Sequence, residues 1–437
     1  MSFTEHLFGP RGDDIRSSWN YQFTWTPLHM TESQMAPLRT MFDKVADAAN
    51  DRIQELRGTR GLYQTLEEEW ENDPAIGKLW RQVNEIPEWV DWEQIERGQE
   101  VFYRYAVAMI YALAYHSLLG GMGAGRIVEV LARTGGFSVS SAKRRIYETT
   151  QHILQCTRDL ESIKPGGDGF KSSVAVRLLH SNVRKRILKL HSQNSDYYNL
   201  EEFGIPVNEM DSIMTIMTFS ASLVWISLPR QGIFLRKQEI VDYIALWRLI
   251  SHYMGSPTDA LATPEIARAY MESGLLTELR PTALSQQLSH NIIVALAHQP
   301  PSYPSEDFLV AAARWLNGNE LSEALALPQP SLRARALIFV QIIFVAIISY
   351  SSRLLPELGK KRVEFIKNAL WRVIIIAGLG GETDFAFKFV PQVSTVTEYG
   401  KGVEWRNFKV LVALLTVMVG SLMVSLKAMV WMWAMIF

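Results

Sequence analysis

The chain has 437 residues, 48% hydrophobic and 20% charged, with 44 lysines and arginines against 45 aspartates and glutamates for a formal net charge of −1. That length gives ample core for one large or two ordinary domains without covalent staples, and the charge balance provides no global basic field for nucleic acid. The single cysteine, Cys156, excludes an intramolecular disulfide framework and any multi-cysteine zinc or iron–sulfur site.

The opening residues, "MSFTEHLFGPRGDD" (1–14), lack a basic n-region followed by an apolar h-region. They read as an amino-terminal extension, with no secretory signal. "TESQMAPLRTMFDKVADAANDRIQELRG" then begins with a Thr31 cap, carries apolar residues at spacings of three and four, and stops at Gly58. This predicts a helix over about 31–57. "WEQIERGQEVFYRYAVAMIYALAYHSLLGG" repeats the pattern in more apolar form and stops at a glycine pair, which predicts a central helix over 92–119. A short helix in "GAGRIVEVLARTGG" and a long one in "SVSSAKRRIYETTQHILQCTRDLESI" follow, the second with a serine cap and closed by "KPGGDG". A further helix covers about 171–192.

Downstream, "PVNEMDSIMTIMTFSASLVWISL", "RKQEIVDYIALWRLISHYMG" and "TPEIARAYMESGLL" each show a helix start with an apolar stripe. The run "ALIFVQIIFVAIISY" (336–350) carries Gln341 and is short for a membrane span, so it reads as a core helix. No alternating segments bounded by hairpin turns are found. The expectation is a single all-α domain over 15–395, followed by a linker and hydrophobic tail over 396–437. In that tail, "VLVALLTVMVGSLMVSLKAMVWMWAMIF" has Lys427 as its only charge. As a helix at about 1.5 Å per residue it is long enough to cross or dock on a bilayer, and it reads as a membrane anchor.

Two helical faces could carry chemistry. His180, Val183, Ile187 and His191 share one face of the 171–192 helix, bordered by Arg177, Arg184, Lys185 and Lys189. An imidazole on an apolar stripe edged by cations suits a planar apolar cofactor with carboxylates at its rim, with Arg177 and Arg184 as the cationic edge. The same spacing also fits a packed, hydrogen-bonded helix histidine. On the preceding helix Arg145, Thr149 and His152 fall at i, i+4 and i+7, a face for a cofactor edge or for a helix–helix polar contact. Glu129 and Glu148 are the nearby carboxylates, each a candidate general base or a salt-bridge partner for the "KRR" run at 143–145. The glycine-rich "GGMGAG" and "GLGGE" lack a phosphate-loop lysine, and no metalloprotease or nucleophile-elbow motif is present.

The pieces "IPEWVDWEQIERGQEVFYRY", "SLLGGMGAGRIVEVLARTGGF", "AKRRIYETTQHILQ", "KPGGDGFKSSVAVRLLHSNVRKRI", "FGIPVNEMDSIMTIMTFS" and "QEIVDYIALWRLISHYMG" occur in this order over about 85–255. Their order resembles the catalytic domain shared by rubber oxygenase (latex-clearing protein) and the ER-bound oxygenase of mycophenolic acid biosynthesis. Looser similarity runs from "NYQFTWTPLHMT" to "FAFKFVP" near 390. The resemblance implies a globin-like helical bundle holding one haem b, with the "VRLLH" histidine, His180, as axial iron ligand. It implies a pocket-facing arginine and threonine, here Arg145 and Thr149, and a glutamate base that lines up with Glu129. One position departs from the rubber-cleaving members, which place a lysine before the threonine where this chain has Glu148.

The expected activity is a haem-dependent oxygenase that uses dioxygen on a lipophilic, isoprenoid-like small molecule. It would be membrane-associated at the endoplasmic reticulum through the tail, and would have no nucleic-acid partner. A haem-dependent dehydrogenase or oxidative cyclase of secondary metabolism stands beside it, as does a non-enzymatic, membrane-anchored haem- or lipid-binding bundle.

Overall fold

The computed structural model of the protein describes residues 9–383 apart from 300, 301 and 355, together with 385, 409, 412, 416 and 423. The architecture is all-α, as expected, with one addition at the amino end. Ile15–Ser18 (β1) and Tyr21–Thr24 (β2) pair antiparallel, Ile15 opposite Thr24 and Ser18 opposite Tyr21. The expectation of no hairpin is corrected here. The connecting residues Trp19 and Asn20 both adopt positive φ, 53° and 57°, which is the type I′ geometry without the glycine that normally announces it.

The single helix expected over 31–57 is interrupted. A capping box at Thr31 starts the turn Glu32–Met35, which tightens into the 3-10 turn Ala36–Arg39 around Pro37. The chain restarts as α1 (Lys44–Leu56), where Asp43 accepts from the Ala46 N–H at 2.9 Å. Helices α2 (Pro74–Asn84) and α3 (Trp92–Arg104) have the aspartate caps Asp73 and Asp91. The helix expected over 92–119 divides at Tyr105 (φ −113°, ψ 20°), whose hydroxyl donates to Glu239 Oε1 at 3.0 Å. Beyond it α4 (Ala106–Tyr111) widens into a π-helical stretch, Ala112–Leu119, that stops at the glycine pair.

Three helices match their sequence segments closely: α5 (Gly125–Arg133), α6 (Val139–Thr157) and α7 (Asp168–Gln193). The rest of the bundle is α8 (Glu209–Phe219), α9 (Lys237–Tyr253), α10 (Pro264–Thr277), α11 (Ala283–Leu296), α12 (Glu306–Asn317), α13 (Leu332–Leu354) and α14 (Pro356–Trp371), followed by a π-helical stretch, Arg372–Leu379.

The main core gathers Phe102, Leu154, Phe170, Leu178, Met217, Trp247 and Tyr253 between α3, α6, α7, α8 and α9. Helices α3 and α9 touch at Gly98, where a Cβ would lie 2.4 Å from the Asp242 carbonyl oxygen, so this crossing admits only glycine. A second core, with Leu119, Val128, Ile292, Leu309 and Ile338, joins the π-helical stretch after α4 to α5, α11, α12 and the start of α13.

Among the described residues three segments are long and apolar enough to cross a membrane by length and composition: Ala106–Gly123, Glu209–Arg230 and Leu332–Leu354. The first two are 56% and 78% buried inside the protein, which accounts for their hydropathy as core. The third is only 28% buried. The reading of 336–350 as a core helix is therefore corrected: one side of α13 is buried, but Ala336, Phe339, Ile343 and Ile347 form an exposed stripe on the other. The expected anchor over 396–437 lies outside the described residues, apart from a few isolated positions.

Candidate functional site

Helices α6 and α7 are joined by a short connection and run antiparallel. At the joined end their backbones meet: a Cβ on Gly169 would lie 2.7 Å from Cys156 Cα and 2.7 Å from the Gln155 carbonyl oxygen. The polar groups there are satisfied locally. Ser173 donates to the Gly169 carbonyl at 2.7 Å, and Ser172 Oγ lies 3.0 Å from His152 Nδ1. Cys156 is fully buried, as expected of a small apolar residue on a helix, and burial pushes its thiol up to about 12.

Two turns further along α7 the side chains are less completely covered. His180 is half-buried and protein surrounds it. Among the described residues it has no hydrogen-bond partner. Burial first, then the Arg184 and Arg145 cations, push its pKa down to about 4. The imidazole is therefore neutral at physiological pH and presents a free lone pair. On α6, Thr149 is exposed and Arg145 is partly buried, with its Nη1 3.6 Å from Glu148 Oε2. Arg145 and His152 both lie within electrostatic range of His180. The structure thus places Arg145 and His152 near His180, while Thr149, on the same helix, is exposed.

Below His180 the wall is apolar. Val183 packs against a cluster of Val130, Ile187 and Tyr198 that links α7 to α5. Glu129 stands on this α5 wall, but its carboxylate is held by Arg133, whose Nη1 also donates to the Glu129 carbonyl oxygen at 2.8 Å. Glu148 is buried at 6% exposure and accepts from Arg144 Nε at 3.0 Å as well as facing Arg145. Both carboxylates are ion-paired, the outcome that spacing alone could not separate from a free base.

Arg177 and Arg184 differ from the expected cationic edge. Each is 2% exposed and turned to α1. Arg177 donates to Asp43 at 2.6 and 3.1 Å and to Gln82 at 2.8 Å. Arg184 bonds both oxygens of Asp47 and the Val207 carbonyl at 2.8 Å. Their charge is matched by carboxylates of this chain, so they clamp α7 to α1, a role that a single-helix view cannot show. Asp43, at once the α1 cap and the Arg177 partner, was missed for the same reason. A signal was present in "FDKVAD", where two aspartates four residues apart make an acidic face to meet the basic face of α7.

His152, buried at 7%, is also depressed to about 4, by burial and then by His180. The chain beyond α14 closes over this region. Phe385 lies edge-on to His152 with ring centroids 6.4 Å apart, and Gln151 exchanges hydrogen bonds with the Thr383 backbone at 2.9 and 3.0 Å. His191 is partly buried near the end of α7, and its Nδ1 has no partner there. Among the described residues no three histidine, cysteine or acidic side chains stand close enough to hold a metal ion together.

Known proteins give the arrangement its context. No curated protein matches the chain. A solved structure, that of latex clearing protein in the closed state, is similar in fold, with a TM-score of 0.58 and 18% identity, covering 71% of this chain and 84% of that one. The family model for the catalytic domain of ER-bound oxygenase mpaB/B′ and rubber oxygenase matches residues 103–347, which contain α5, α6 and α7 with every candidate side chain described above. A match over more than half of the sequence, on a bundle of the same fold, makes this chain a member of the mpaB and rubber oxygenase family.

Proposed function

We propose that the chain is a haem b oxygenase in which His180 would hold the iron and the surface of α6 and α7 around it would receive a lipophilic substrate. The observation that carries the reading is the partly exposed, neutral, unpartnered His180 imidazole. A half-buried polar ring that protein surrounds and no side chain or backbone group bonds is left open to an outside partner. The residues fit the group: one imidazole, that of His180, would suffice to hold an iron whose other donors come from a porphyrin, and the half-buried Val183 one turn on would offer it apolar surface. When bound, such a haem supplies iron-centred chemistry with dioxygen.

The chain's own residues would then act as follows. Burial and the two arginines keep the proton off His180 and its lone pair available. Thr149 would offer a hydroxyl, and Arg145, which also faces Glu148, a guanidinium to orient a bound polar oxygen. The Glu148 carboxylate, held by Arg144 and Arg145, stands where a distal lysine would stand in the rubber-cleaving members, so a lysine-ligated closed state is not expected. Glu129 could serve as a base only after leaving Arg133. Oxidative cleavage of an olefin balances without an external reductant, one O2 adding its two atoms to the two carbons to give two carbonyls. Glu148 in place of the lysine of the rubber-cleaving members supports a second reading, an oxidative dehydrogenation or cyclisation at the same site. The apolar tail supports delivery of the substrate from a membrane, with the endoplasmic reticulum as the expected site.

The test is an absorption spectrum of wild type and His180→Ala, oxidised and dithionite-reduced, with a pyridine haemochrome assay. A Soret band near one haem per chain that is lost or shifted in the variant is the expected result. Protein that stays colourless after haem reconstitution overturns the reading. Incubation of olefinic isoprenoids with labelled dioxygen then separates the chemistries: label in two carbonyl fragments is expected, and an unlabelled desaturated product favours dehydrogenation.

A further inference from the structure

Helix α13 presents a face that a water-exposed helix does not carry. Leu332, Ala336, Phe339, Ile343, Ile347 and Leu354 are all exposed and follow one another at three-, four- and seven-residue steps along the helix. Phe339 is 52% exposed, and Leu332 and Leu354 about 80%. From Ala336 to Ser352 the sequence contains no charge at all. At about 1.5 Å per residue this gives an uncharged stripe roughly 25 Å long. Isolated surface leucines need no explanation, but a continuous apolar stripe does.

The opposite side of α13 is fixed. Ala334, Ile338 and Val345 are buried, and Ile338 joins the second core. The helix is therefore held lengthwise against the protein with its apolar stripe turned away. Both ends carry cations, at the start beside the exposed Asp307, which accepts from the Ser331 N–H at 2.9 Å. Arg333 and Arg335 are exposed at the start, and Lys360, Lys361 and Arg372 are exposed beyond the end, against Glu357 and Glu364. At the rim Trp315 is 39% exposed, lies 6.2 Å from Phe339 between ring centroids, and donates its indole N–H to the Arg230 carbonyl at 2.7 Å. An apolar stripe, a tryptophan with its polar end anchored, and flanking cations are the elements of a helix lying in the plane of an anionic lipid surface.

We infer that the outward face of α13 docks on a lipid bilayer as an in-plane helix, with Phe339, Ile343 and Ile347 entering the acyl boundary and the flanking lysines and arginines meeting phosphate headgroups. This surface is separate from the apolar tail at 410–437 and holds the folded domain against the membrane whether or not the tail also inserts. It makes no use of His180 or of a cofactor, so its failure leaves the oxygenase reading standing.

The experiment labels the full chain with an environment-sensitive fluorophore at Phe339→Cys, Ile343→Cys and Ile347→Cys, one at a time, with Glu161→Cys as a remote exposed control. The native Cys156, buried with its thiol raised to about 12, stays unreacted in the folded protein. With phosphatidylcholine–phosphatidylserine vesicles the three α13 labels shift to the blue and are quenched by brominated acyl chains, whereas the control does neither. A Phe339→Glu/Ile343→Glu variant with unchanged thermal unfolding loses roughly tenfold or more in vesicle partitioning. Labels that stay in water while the protein binds vesicles overturn the proposal, as that binding belongs to the tail alone. Labels already blue-shifted without vesicles overturn it too: dependence on protein concentration then identifies a second copy as the occupant, and independence identifies another segment of the same chain.

Discussion

The two ends of the α6–α7 pair follow opposite rules. At the Gly169 end the helices touch backbone to backbone, Cys156 and Ser173 have no exposed surface, and each serine hydroxyl has a partner. At the His180 end Thr149 is exposed, Arg145 and His180 are partly so, and the imidazole has no described partner. The same two helices are thus packed backbone to backbone at one end and carry incompletely covered polar side chains at the other. The back of α7 continues the clamp through Arg177, Arg184, Asp43 and Asp47. The contrast teaches that stability and chemistry are separated along one element, so substitutions should sort by position along α7 rather than by residue type.

The largest effect is expected on the clamp. Asp43→Ala leaves the Arg177 cation 2% exposed and without its carboxylate, and also uncaps α1. We expect a loss of about 3–5 kcal/mol in chemical denaturation. Arg177→Met/Asp43→Asn should recover part of it, because no buried charge is then left unpaired. At the closed end, Gly169→Val forces the helix backbones apart and should cost roughly 3 kcal/mol. A loss below about 1 kcal/mol would show that the two ends do not differ in packing.

A pH titration sharpens the boundary between the ends. His152 is held near 4 in the fold against about 6.5 in the unfolded chain, so the unfolded state binds its proton first as pH falls. Its contribution is fully present above pH 6.5 and is lost toward pH 4. By pH 4.5 the wild type should have lost on the order of 2 kcal/mol more than His152→Gln does over the same range. The smallest stability effect is expected at the His180 end: His180→Ala removes no described hydrogen bond and should change unfolding by less than about 1 kcal/mol while abolishing haem binding. A large destabilisation by His180→Ala in haem-free protein would mean that the histidine is a structural contact and not a site.

Much of this was legible in the sequence, because helices are local. The capping aspartates, the stops at Gly58 and Gly120, and the spans of α5, α6 and α7 follow from spacing and end chemistry over a few residues. The shared face of Arg145, Thr149 and His152 and the His180 stripe are equally local, since periodicity alone decides which side chains lie on one side of a helix. The hairpin at 15–24 escaped because Trp19 and Asn20 reach positive φ without glycine, and the break at Tyr105 leaves no local mark, the partner of its hydroxyl, Glu239, being 134 residues away.

What only the tertiary structure decided is which face meets what. The basic residues around His180 looked alike in sequence, yet Arg184 faces Asp47 while Arg145 stands near His180 and Glu148, because α1 covers one side of α7 and α6 lies on another. The apolar run of α13 had the composition of a core helix, but hydrophobicity is a property of residues and burial is a property of neighbours. One side of that helix found neighbours in α12 and the second core, and the other did not.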